Sequence, residues 1–240
     1  MEFKVSSFPV ISGLTLSFRT VAIYIEDGNE VDNMVSYNVG ICARQDHCKS
    51  ANLHWQDNGE GGIYGYGMTN DLIGNRMAGH EHGLWLPGGI KPRGKGHAEG
   101  KVCPQNTPFG IIRGNVFHDS GRFGTYLDNQ YPRNLIRDAN GYVIDDRKSC
   151  NQFTADGEDN GLVSVIEDNL DYHNIFSGGY DFGDISFVRS YFVNQAHNMY
   201  WKKSKNMADK TSAHLQDCVF LNSNSDPGMS SLVYYSLDVD

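Results

Sequence analysis

The sequence predicts an all-β protein: a right-handed parallel β-helix, cut from a longer solenoid. Three observations predict it. A short pattern, apolar–x–x–Asn–apolar–apolar, recurs along the chain. Gly and Asn together make 48 of the 240 residues, whereas Ala numbers only 10. No segment of helix length keeps a helical period of apolar residues. Gly, Asn and Asp favour turns and left-handed corners, and scarce Ala and Glu exclude a helical bundle.

The repeats follow in order. Met34-Val-Ser-Tyr-Asn38-Val39 is the first. Leu72-Ile-Gly-Asn75-Arg-Met77 is the second and runs on to Gly83-Leu-Trp-Leu86. Ile111-Ile-Arg-Gly-Asn115-Val-Phe117 is the third and runs on to Gly124-Thr-Tyr-Leu127. Val165-Ile-Glu-Asp-Asn169-Leu170 is the fourth. In the fifth and sixth, Ser190 and Cys218 stand in the Asn place. The anchors are 37, 40, 54, 21 and 28 residues apart. The shortest intervals equal one coil, and the longer ones a coil plus a surface insertion. An Asn at such a corner tolerates the left-handed bend and joins a hydrogen-bonded ladder with the Asn of the next coil. An antiparallel sandwich also has short strands, but it predicts alternation and hairpins rather than one repeated motif. The expected architecture has five to seven coils, with long loops on one side. One repeat domain covers 20–240. Residues 1–19 read as a capping or foreign segment.

Composition narrows function. The net charge is −9, with 20 basic and 29 acidic residues, which argues against a nucleic-acid or anionic-membrane binder. No run of 18 apolar residues exists to span a membrane. Five cysteines, Cys42, Cys48, Cys103, Cys150 and Cys218, include no C-x-x-C pair, so a structural zinc site is not expected. Cys42 and Cys48 are close enough to bridge, and the odd count leaves a thiol over.

Three segments then carry a resemblance. Tyr24-Ile-Glu-Asp-Gly-Asn-Glu30, with Asn33 and Asn38, is the first. Asn75-Arg-Met-Ala-Gly-His-Glu-His-Gly-Leu-Trp85 is the second. Cys103-Pro-Gln-Asn-Thr-Pro108, with Asn115, His118, Gly121, Arg122 and Gly124, is the third. Together they resemble the family of large extracellular proteins that join an eight-glycine (G-eight, or G8) domain to parallel β-helix repeats. That family includes cell-surface hyaluronidase, cell migration-inducing hyaluronan-binding protein and fibrocystin-L. The likeness covers about residues 20–127, and the segment around His80 is one residue shorter than the family pattern. The eight-glycine domain itself is not in this sequence, so a missing flanking domain or a capping partner is expected.

The resemblance implies an extracellular or cell-surface module that binds or cleaves an acidic, hyaluronan-like polysaccharide, as hydrolase or lyase. A non-catalytic scaffold or receptor segment is the competing reading. Glu26, Asp27 and Glu30 are the acid/base candidates, because glycosidic cleavage needs two carboxyls about 5–10 Å apart. The same oxygens also suit calcium, the one cofactor they suggest. The bland reading is a turn built on Asp27-Gly28. His82, His118 and Arg122 are candidates to position substrate or stabilise charge. Aligning Asn75 with Asn115 places His82 beside Arg122. Trp85 and Tyr126 would supply platforms for sugar rings, although each alone reads more readily as a core residue of its strand. Lys91, Arg93 and Lys95 would add a local basic patch.

Overall fold

The structure, a computed structural model, describes residues 3–4, 10–18, 21–25, 27–28, 30–42, 61–89, 104–132, 136–137, 139, 143–144, 164–204, 213–222 and 230–237. It is a parallel β-helix whose every coil contributes one strand to each of three sheets. The first sheet holds Phe3–Lys4, Ile23–Ile25, Gly61–Gly65, His82–Pro87, Phe123–Gln130, Ser177–Gly183, His197–Ser204 and Ser230–Leu237. The second holds Val10–Ser12, Met34–Ser36, Asp71–Ile73, Ile112–Arg113, Ser164–Glu167, Ile185–Val188 and Leu215–Gln216. The third holds Thr15–Phe18, Val39–Cys42, Arg76–Ala78, Val116–His118, Leu170–Tyr172, Tyr191–Val193 and Val219–Leu221. Among the described residues seven coils and one further strand result, at the upper end of expectation. Strands within residues 3–18 form the first of these coils.

The corner from the second to the third sheet is the invariant element. It is always two residues long. The first of the two is left-handed: Gly13, Tyr37, Gly74, Gly114, Asp168, Arg189 and Asp217 all have φ between 50° and 68°. The Asn follows it. Contrary to the expectation from its tolerance of that conformation, the anchor Asn therefore does not make the bend. Its side chain instead turns inward and bonds to the next coil. Asn38 Nδ2 donates to Asn75 Oδ1 at 3.0 Å, Asn75 Nδ2 to Asn115 Oδ1 at 3.0 Å, and Asn115 Nδ2 to Asn169 Oδ1 at 3.4 Å. The same oxygens accept the backbone N–H of the preceding rung, and the four Asn are fully buried. Buried amides persist only when so paired.

This corner tolerates no insertion, because one extra residue would break the ladder. Insertions therefore fall at the other two corners. Residues 88–111 and 131–163 lie between the first and second sheets, and residues 43–60 lie between the third and first. The chain thus leaves the sheets for insertions at two corners rather than one. A small antiparallel hairpin, Ile136–Arg137 with Val143–Ile144, lies within the longest.

The interior is a stacked apolar column. Ile23, Ile63 and Leu84 align in register, and Met77, Phe117 and Phe192 face them from the third sheet, all fully buried. Each such side chain contributes about 1.5–3 kcal/mol on burial. The glycines at the strand starts have a steric cause. A Cβ on Gly62 would sit 2.6 Å from Met77 Cβ, one on Gly83 would overlap Phe117, and one on Gly124 would overlap the Asp171 carboxyl.

Candidate functional site

The first carboxylate cluster is a closed turn. Glu30 accepts the backbone N–H of Asp27 at 2.8 Å and that of Gly28 at 2.7 Å, one on each oxygen, and only 7% of it is exposed. Gly28 has φ +87°, and a Cβ there would meet Pro104 at 2.6 Å and Tyr66 at 2.7 Å. Asp27 is buried beside it. Glu26 lies outside the described residues, as do Cys48, Cys103, Cys150 and the Lys91, Arg93 and Lys95 patch. Both oxygens of Glu30 thus serve the backbone, which fits the turn reading of this motif.

His82, Trp85, Tyr126 and Arg122 do come together, on the outer face of the first sheet. His82 pairs in register with Phe123, and Trp85 with Tyr126. The His82 ring lies 5.3 Å from Phe123, 5.2 Å from Trp85 and 5.0 Å from Tyr126. The Arg122 guanidinium sits 5.0 Å over the other partner of that stack, the Phe123 ring. The expected register is off by one residue, for a visible reason. Gly79 to Glu81 turn the earlier corner, whereas Asp119 to Arg122 turn the next, so Arg122 is an inserted residue. The N–H groups of Arg122 and Phe123 both reach the Glu81 carbonyl, at 2.9 and 3.3 Å.

Burial sets the chemistry of this cluster. His82 is 5% exposed, and burial first, then Arg122, lowers its pKa to about 3. It is a neutral imidazole and does not exchange protons near neutral pH. Trp85 and Tyr126 stack on each other at 6.2 Å and are 7% and 6% exposed, so neither offers an open face. Burial also raises the Tyr126 phenol, with Asp128 and Tyr180 adding to it.

His118 stands apart from His82, on the third sheet. It stacks on Tyr172 at 4.5 Å with rings 6° from parallel, and its Nδ1 lies 2.7 Å from Asp119 Oδ2. His173 Nδ1 is 4.0 Å from the other Asp119 oxygen. The acid turn is more distant still. In the strand register Asp27 lies six residues along the first sheet from the His82 level, about 20 Å at the usual rise. Asp27 and Glu30 therefore do not share a groove with His82 and Arg122.

What sequence reasoning missed is the open continuation of the aromatic cluster. Arg122 is followed at the next corner by Phe176, whose N–H reaches the Arg122 carbonyl at 3.0 Å. Phe176 is 39% exposed and meets Phe123 at 5.5 Å and His197 at 5.1 Å. Tyr180 and Tyr200 stack 5.4 Å apart and 4° from parallel, both half-buried. Aligning the strand starts Ser177 and His197 with Phe123 would have found them.

Cys42 is disulfide-bonded. Among the described residues no three His, Cys, Asp or Glu groups converge to hold a metal, and no helix is long and apolar enough to cross a membrane.

No family model matches the chain. Human fibrocystin-L is 28% identical over 111 residues, which are 46% of this chain and 2% of that protein. A G8 domain-containing protein of Dictyostelium discoideum is 29% identical over 155 residues, 55% of this chain and 10% of its own length. Protein rliB of the same organism is 31% identical over 112 residues, 41% of this chain and 10% of its own. The chain is similar to the fibrocystin-L and G8-domain proteins. These relatives agree with the resemblance read from the three motifs. The chain spans a tenth or less of these relatives.

Proposed function

We propose that the chain is an extracellular β-helix module that binds an acidic, glycosaminoglycan-like polysaccharide. The observation that carries this reading is the half-open rim formed by Arg122, Phe176, Tyr180, His197 and Tyr200 at the entry to the first sheet. It combines a guanidinium, which pairs with a sugar carboxylate, and aromatic surface, which packs on sugar C–H faces. The Cys42 disulfide supports an oxidising compartment. The net charge of −9 opposes long-range steering of a polyanion, so the attraction is local to the Arg122 guanidinium.

Binding is favoured over cleavage. The Glu30 carboxylate is engaged by its own turn, and the His82 imidazole is held neutral in an aromatic cluster. The test is calorimetry with hyaluronan and chondroitin oligosaccharides, with and without calcium, alongside size analysis of the polymers. Saturable binding that Arg122→Ala weakens at least about tenfold supports the reading. Shortened chains would move it to an enzyme. Absence of binding to either polymer leaves the scaffold reading, which the burial of Trp85 and Tyr126 also suits.

A further inference from the structure

The outer face of the third sheet is unlike the other two. From the second coil on, its outward residues form two columns. The first runs Val39, Arg76, Val116, Leu170, Tyr191 and Val219. The second runs Ile41, Ala78, His118, Tyr172, Val193 and Leu221. The registers are unbroken along both columns. Every residue is apolar or aromatic except Arg76 and His118, and no carboxylate stands among them. Ile41, Tyr191 and Leu221 are 46%, 49% and 55% exposed. The second sheet, by contrast, turns Asp71, Arg113 and Glu167 outward, and the first turns out its aromatic ladder. Carboxylates stand at its rims, where Gln216 Nε2 donates to Asp217 at 3.4 Å. Asp168 pairs with Arg189 at 2.7 Å, and Asp119 with His118 at 2.7 Å.

We infer that this face is a self-association surface, and that its occupant is a second copy of the same chain. Shape favours that occupant, and charge selects the face. Two copies at −9 each repel, and this sheet presents the face with no acidic side chain for them to meet through. A flat pleated face is matched by another such face, as in sheet-on-sheet packing. A two-fold axis parallel to the strands makes the contact isologous and reverses the order of the coils. Within each column it sets the second coil against the seventh, the third against the sixth and the fourth against the fifth. Arg76 then meets Tyr191, a cation over an exposed ring. Small Ala78 meets Val193, and the two most exposed aliphatics of the second column, Ile41 and Leu221, meet each other.

The area sets the strength. Six strands spaced about 4.8 Å apart give a face about 29 Å long and roughly 10 Å wide. That is below the area of a standard stable interface, so the association is weak and reversible.

Sedimentation velocity across micromolar to millimolar concentration tests it. The expected result is a mass that rises with concentration, and a dissociation constant raised at least about tenfold by Tyr191→Asp. Thermal unfolding of the variant is measured in parallel. A second measurement does not depend on that variant's folding. Ala78→Cys with Val193→Cys should crosslink two chains on oxidation, because within one chain the two positions lie about 14 Å apart, three coils away. A monomer at every concentration, or failure of that pair to crosslink above the background of the parent chain, overturns the inference. Oligosaccharide binding at the Arg122 rim lies on another face and is unaffected either way.

Discussion

Thr125 and Asp171 meet inside the solenoid, where the threonine hydroxyl lies 3.2 Å from each carboxyl oxygen and both residues are fully buried. Asp171 takes the interior place that Phe117 and Phe192 hold on the neighbouring coils. Burial pushes its pKa well above the usual value, and the Thr125 hydrogen bond opposes that only in part. The acid is therefore neutral where an exposed one would be ionised.

A raised folded pKa fixes the sign of the pH effect. The stability that Asp171 contributes is complete below the unfolded value, about 3.9, and is lost as pH rises towards the folded one. Asp171→Asn removes that loss. Its melting temperature should exceed that of the parent at pH 7, with a margin that grows as pH rises above about 4. The slope has an upper bound of about 1.4 kcal/mol per pH unit. A margin independent of pH would show that the carboxyl is not the cause.

His80 and His82 act in the opposite direction. His80 is fully buried, and burial lowers its pKa to about 4; that of His82 is lowered to about 3. Their contribution is whole above the unfolded value near 6.5 and is lost as pH falls from there towards 4. His80 also occupies the corner rung that Asn174 and Gln195 fill on later coils, where Asn174 Nδ2 donates to Gln195 Oε1 at 2.9 Å. His80→Asn should flatten the acid limb of urea-unfolding stability between pH 7 and 5. An unchanged limb would contradict the assignment.

The central rung of the Asn ladder is the most exacting. Asn115 accepts from the Asn75 backbone and side chain, and it donates to Leu72 and Asn169. Asn115→Ala leaves these buried partners unmet and should cost about 3 kcal/mol in chemical denaturation. A loss below about 0.5 kcal/mol would mean that water replaces the amide.

Two glycines separate space from backbone strain. Gly83→Ala drives a methyl into Phe117 and should cost about 3 kcal/mol. Gly114 has nothing within 4 Å of a Cβ but sits at φ +67°, so Gly114→Ala should cost only about 1 kcal/mol. Equal losses in thermal unfolding would refute the distinction.

Glu30→Gln keeps the shape of the turn and halves its acceptor capacity. It should lower stability by about 1–2 kcal/mol while leaving oligosaccharide affinity unchanged. A loss of binding without a loss of stability would return Glu30 to the functional residues.

The fold was legible because its signal is one-dimensional. Asn38, Asn75, Asn115 and Asn169 recur in a fixed local context, and each bonds to the next. The residue that makes the bend was not legible, since Gly, Tyr, Asp and Arg all occupy it and its side chain points to solvent. The candidate site was half legible. His82 and Arg122 were placed on adjacent coils by counting from the Asn rungs, but counting cannot see that one corner is a residue longer than the last. Nor can it see burial, which turns Trp85 and Tyr126 from platforms into packing.

The ladder also changes material along its length. Amides bond amides from Asn38 to Asn169. The next rung is the Ser190 hydroxyl, reached at 3.3 Å, and the last is the Cys218 thiol, which turns to the backbone carbonyls of Phe187 and Gln216. Under tension along its axis, such a stack has a grain. It should part first at the hydroxyl and thiol rungs and hold longest around the amide coils.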